Sequence, residues 1–214
     1  ISNRPTLTNY WVEAYRDSNS NGIRDAWEPA GAYSNNPILL TNHAAGVDMA
    51  LIDPLFAFIV TGNPLEPGSP IPFGYASNTL TSYTVITNRA DPSVVIGMTQ
   101  YVCAGWTGTG SAPPAGLTTN VTVTLTNDTT LTWNWDTLYE LSVTNGPNGA
   151  VTTSNGWYYA GTPGVTLSAT PSNTYHFVQW SGDLVSTNNP LVLTMDQGYS
   201  LTADFSINTY DITA

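Results

Sequence analysis

Twelve consecutive residues, DSNSNGIRDAWE (17–28), place oxygen-bearing side chains at alternate positions around a glycine. Asp17, Asn19 and Asn21 stand at positions 1, 3 and 5, Gly22 at 6, Asp25 at 9 and Glu28 at 12. When a backbone curls around an ion, such oxygens point to one centre, and the glycine supplies a sharp turn that a Cβ would resist. Ile23 adds its backbone carbonyl, Asp25 a direct or water-mediated oxygen, and Glu28 both carboxylate oxygens. Hard oxygen donors with no nitrogen or sulfur select Ca²⁺ over a transition metal. The metal-ligand expectation is therefore Asp17, Asn19, Asn21, Ile23, Asp25 and Glu28, with calcium as the cofactor.

The flanks determine what such a loop can do. Before it, YWVEAY (10–15) is rich in aromatic and β-forming residues and reads as a strand. After it, Pro29 removes a backbone donor and stops a helix near its start. A loop between β elements suits an ion that fixes a turn, not a switch that opens a helical groove.

Short runs of Thr, Val, Tyr and Trp with period two recur along the chain. They include TSYTVITN (81–88), SVVIGMTQYVC (93–103), NVTVTLTN (120–127), TLTWNW (130–135), YELSVTN (139–145) and VTLSATP (165–171). Gly, Pro and Asn turns such as NGPNG (145–149) separate them. The expected fold is all-β, in tandem small β-sandwich or β-grasp-like modules.

An internal repeat is visible. VTVTLTNDTTLTWNWDTLYELSV (121–143) lies over LVLTMDQGYSLTADFSINTYDITA (191–214), pairing Leu125 with Leu193, Leu131 with Leu201 and Tyr139 with Tyr210. Upstream, Trp106 pairs with Trp180. The expected boundaries are a calcium-loop module over 1–54, repeat units over 55–136 and 137–205, and an orphan strand of a following unit over 206–214. That strand either folds back on its own unit or completes a sheet in the next subunit, which would build a filament head to tail.

The second unit carries LSVTNGPNGAVTTSNGWYYAGTPGVTLSATPSNTYHFVQWSGD and then NPLVLTMDQGYSLTADF. Over about 137–206 it resembles the divergent B-repeats of internalin-type bacterial surface proteins, with a looser copy over 55–136. The first fifty residues, with the DxNxNGxxDxxE loop and GVDMALIDP (46–54), are similar to prealbumin-like B-type modules of bacterial adhesins. Many of those modules carry Lys–Asn crosslinks; this chain has no lysine and cannot form one. The resemblance implies extracellular, repetitive, non-catalytic stalks, with calcium in the stiffening role.

Charge and composition narrow the partners. Only 9% of the 214 residues are charged, against ~25% in ordinary soluble domains. Four basic and 15 acidic residues give a net charge of −11, and all four bases are arginines. A basic footprint for nucleic acid is absent, and an anionic membrane surface repels such a chain. No apolar run reaches the ~20 residues of a membrane helix. Cys103 stands alone and reads as a small buried hydrophobe. The chain opens on Ile1 without a charged-then-apolar leader, as a processed protein or a fragment would. Millimolar extracellular calcium suits a structural site, so the expected location is extracellular or at the cell surface.

Catalytic chemistry finds little footing. His43 and His176 are the only imidazoles and GxSxG is absent. The expectation is no enzyme, with the two histidines far apart. Trp157, Tyr158 and Tyr159 are the candidates for stacking on sugar rings. A glycan partner defines the alternative reading, a carbohydrate-binding accessory region of a secreted glycan-active enzyme.

Overall fold

The computed structural model describes residues 9–39, 49–64 and 66–210, and no helix occurs among them. In chain order the strands are β1 (Asn9–Tyr10), β2 (Glu13–Tyr15), β3 (Ala30–Ala32), β4 (Ile38–Leu39), β5 (Leu55–Asn63) and β6 (Ser77–Thr81). There follow β7 (Val85–Arg89), β8 (Ser93–Ile96), β9 (Thr99–Gly108), β10 (Ala115–Gly116), β11 (Asn120–Thr124) and β12 (Thr129–Asn145). The last are β13 (Gly149–Thr152), β14 (Gly156–Tyr159), β15 (Val165–Pro171), β16 (Tyr175–Gly182), β17 (Leu191–Leu193) and β18 (Tyr199–Ile207). The all-β expectation holds.

Contacts divide the chain into two compact units: 1–90 with 105–133, and 91–104 with 134–214. The sequence boundary of the first repeat, 55–136, takes in 91–104, which cluster in the second unit. Two expected strands split at turns. Tyr83, at φ +63°, ends 81–88 as a continuous strand and leaves β7 to begin at Val85. Gly97, at φ +60°, folds 93–103 into the β8–β9 hairpin, with Ile96 opposite Thr99. Elsewhere two expected strands fuse: 130–135 and 139–145 are both parts of β12.

In the first unit, period-two burial builds the core. Val121, Val123 and Leu125 point inward, as do Phe58 and Val60, and Leu131 and Trp133. Strand β7 pairs antiparallel with β11, while β12 has β5 and β9 as neighbours. Burying side chains of this size contributes about 1.5–3 kcal/mol each before ordering costs. Polar members of this core find partners: the indole N–H of Trp133 donates to Asn88 Oδ1 at 3.1 Å, and Asn88 Nδ2 donates to the Phe73 carbonyl.

The second unit repeats this plan. Strand β15 pairs antiparallel with β17, and β18 lies between β12, parallel, and β16, antiparallel. Its core includes Leu141, Leu167, Trp180, Leu193, Met195 and Leu201. The repeat-related residues Trp106 and Trp180 are both buried, as are Leu125 and Leu193, and Leu131 and Leu201. A hydroxyl contact recurs too: Thr61 with Thr132, and Thr144 with Thr202, each at 2.9 Å.

Cys103 is half-buried, so it is less enclosed than a core hydrophobe. Ser206 and Ile207 belong to β18 and pair with His176 and Tyr175 of β16. Asn208 N then donates to the Thr174 carbonyl. The start of the segment 206–214 is thus used within its own unit, while 211–214 lie outside the described residues.

Candidate calcium loop and the aromatic faces

Strands β2 and β3 form an antiparallel pair, with Glu13 opposite Ala32 and Tyr15 opposite Ala30. Arg16 N donates to the Pro29 carbonyl and closes the base of the loop 17–28. This sequence folds into a tight loop because its side chains take over the backbone amides. Asp17 accepts from Asn21 N at 3.0 Å and Gly22 N at 2.7 Å, and Asn21 Oδ1 accepts from Ile23 N at 2.7 Å. Short Asx-type bonds of this kind replace ladder partners. Gly22 sits at φ +73°, where an L side chain is strained.

Glu28 is the anchor. Its side chain is 1% exposed, the only buried carboxylate among the described residues. Oε1 accepts from Ser18 N at 2.6 Å and Oε2 from Asp25 N at 3.0 Å. Its charge is therefore met by amide N–H groups and not by a cationic side chain. Asn19 Nδ2 and Asn21 Nδ2 both donate to Asp25 Oδ2, at 2.8 and 3.0 Å. The shared focus of the loop is thus made by Asn19, Asn21 and Asp25. Among the described residues, no three His, Cys, Asp or Glu side chains form a metal cluster by themselves. The loop carries three carboxylates and two side-chain amides, whose oxygens are the hard donors calcium takes and softer metals do not; here the amide oxygens of Asn19 and Asn21 accept from Asn21 N and Ile23 N. Of the expected ligands, the side chains of Asn19, Asn21 and Asp25 come together, while Asp17 and Glu28 hold backbone amides of the same loop. The side chain of Ile23 is exposed, and its amide is held by Asn21.

Two contacts of this region carry no sequence pattern. Trp27 stacks on Tyr83, with ring centroids 5.1 Å apart and planes 11° apart. Arg16 pairs with Asp53 at 3.1 Å, an exposed bridge worth little by itself. Both join the loop to segments far along the chain, which local spacing cannot show.

The aromatic run on β14 does not form one platform. Tyr158 packs against the core of the second unit, and its hydroxyl donates to the Ser154 carbonyl. Trp157 and Tyr159 take the opposite face by strand alternation, with Tyr159 exposed and Trp157 half-buried. His176 is exposed, and its Nδ1 lies 3.0 Å from Asn208 Oδ1. His43 lies outside the described residues.

One further group has a shifted acidity. The Tyr199 hydroxyl donates to Asp196 Oδ1 at 2.7 Å. That bond raises the tyrosine above its ordinary value of 10.0, with burial and repulsion by the Asp196 charge adding to it.

No helix among the described residues is long and apolar enough to cross a membrane. No curated protein and no solved structure matches the chain. The buried Trp180 and the closing strand β18 of the second unit fall within a stretch that matches a known family: residues 139–209 match the model of the divergent InlB B-repeat domain.

Proposed function

We propose that the chain is a non-enzymatic, calcium-stiffened segment of tandem β modules in a bacterial surface stalk, adhesin or filament. The B-repeat carries the general part, since such a domain marks a bacterial surface or secreted protein. Buried Glu28 carries the calcium part. A fully buried carboxylate at position 12, held only by the amides of Ser18 and Asp25 and by no cationic side chain, supports the reading, because a divalent cation would supply the missing counter-charge.

Asp17, Asn19, Asn21, Asp25 and Glu28 would hold the ion, with the Ile23 carbonyl. The ion would supply charge neutralisation and rigidity. Trp27 would pass that rigidity on, because it leaves the loop to stack on Tyr83 of the following β elements. Strand donation between subunits is confined in this reading to 209–214, since Ser206 to Asn208 are engaged within the unit.

Scanning calorimetry of the chain in millimolar calcium and in chelator tests the reading. The transition of the first unit is expected to fall in chelator; superimposable curves would remove calcium from the proposal.

A further inference from the structure

We propose that the outer face of the β2–β3 hairpin is a binding site for a neutral saccharide. Glu13 lies opposite Ala32 and Tyr15 opposite Ala30, so these four side chains share one face of the pair. The two alanines leave a floor without bulk. Tyr15 and Glu13 rise from one strand, and Arg24 reaches in from the loop. Together they bound a cleft of ≈ 460 Å³, within the size range of ligand pockets.

The opposite face of the hairpin is covered by its own chain. A Cβ on Gly31 would sit 2.1 Å from the Ala50 carbonyl oxygen, and the same segment pairs with β3 through the Ala30–Ile52 backbone bridge. Among the described residues, none is recorded packing over the cleft side. Trp11, two residues before Glu13, is 71% exposed, an unusual cost for the largest side chain. Trp11, Glu13 and Tyr15 are all exposed while Val12 and Ala14 are half-buried, so the indole adds to the outward residues of this stretch.

The charges select the ligand. Glu13 and Arg24 form no ion pair among the described residues; the one salt bridge is Arg16–Asp53. A carboxylate that only accepts and a guanidinium fork that only donates suit hydroxyls, which do both. The C–H face of a pyranose fits an aromatic ring, and Trp11 and Tyr15 offer two. The pair of charges in the cleft cancels, while the chain carries −11 overall and disfavours anionic glycans.

This site differs from the one the sequence suggested at Trp157 to Tyr159, and the test separates them. The intact chain, in millimolar calcium, is applied to a printed array of neutral and acidic glycans. The strongest neutral binder is then titrated against W11A, E13Q, R24Q and Y159A. Neutral glycans are expected to bind and to quench indole fluorescence. W11A, E13Q and R24Q should each weaken binding about tenfold, the effect of one good contact, and Y159A should leave it unchanged. Glu13 and Arg24 are exposed and their replacements conservative, so these variants keep the fold, which circular dichroism verifies. No bound glycan, binding to acidic glycans alone, or binding lost in Y159A and kept in E13Q and R24Q would overturn the assignment. Titration repeated in chelator keeps this outcome distinct from that of the calcium loop.

Discussion

Replacing Glu28 by Gln removes one charge from the best-buried position of the loop while keeping its shape. In the wild type two amides, Ser18 N and Asp25 N, donate to the two carboxylate oxygens. A glutamine retains one acceptor and turns an N–H₂ donor toward the other amide. One charge-assisted bond, worth about 1.5–3 kcal/mol, becomes a neutral one worth about 0.5–1.5 kcal/mol, and one buried N–H loses its partner at about 1–3 kcal/mol. The total is about 2–4 kcal/mol, or roughly 10 °C in the melting of a unit of this size. Hydrogen exchange reads the effect locally. Protection of the Ser18 and Asp25 amides should drop by about one and a half to three powers of ten at ~1.4 kcal/mol per power. Any difference between calcium and chelator should also vanish, because position 12 no longer offers two anionic oxygens. Unchanged protection at both amides would refute the anchoring role of Glu28; a calcium-dependent shift that survives in E28Q would refute its role as a ligand.

Trp27→Ala and Tyr83→Ala, measured singly and together, should show a coupling of about 0.5–1.5 kcal/mol from their stacked rings, read from urea midpoints. Gly182→Ala should unfold the second unit or cost it more than about 3 kcal/mol, since φ is +111° and the new Cβ would lie 2.2 Å from the Ser200 carbonyl oxygen. The raised pKa of Tyr199 contributes stability that is whole below its ordinary value of 10.0 and is lost as pH rises from there through the higher folded value. Stability of the second unit should therefore fall as pH rises above 10.0 in wild type and fall less in Y199F, measured by urea titration at each pH.

Much of the β architecture was legible because burial on one face forces alternation. Leu131 and Trp133 in TLTWNW, and Val121 and Val123 in NVTVTLTN, announce which side is inward before any pairing is known. Strand ends were harder. Tyr83 adopts φ +63° although its side chain does not favour it, so no turn residue marked the break before Val85. Nor could alternation foresee that β12 runs through Asp136 and Thr137, because the pairing that carries a strand across such a junction comes from segments far along the chain, a tertiary condition. The repeat did carry over, since Trp106 and Trp180 need the same enclosing pair of layers to bury an indole.

The loop 17–28 was legible for a different reason. Its bonds span few residues: Asp17 to Gly22, Asn21 to Ile23, Asp25 to Glu28. Local chemistry shapes such a segment, so spacing alone locates its side chains. What local chemistry cannot supply is the burial of Glu28 or the stack of Trp27 on Tyr83, since both depend on chain that arrives from elsewhere. The same distinction explains the β14 aromatics. Trp157, Tyr158 and Tyr159 are adjacent in sequence, but a strand sends neighbours to opposite faces, and the core claims Tyr158. Trp11 and Tyr15 are four apart and both exposed, and four is a spacing at which a strand presents two rings to one side. Within a β fold, residues two or four apart are therefore better candidates for a common surface than a contiguous run.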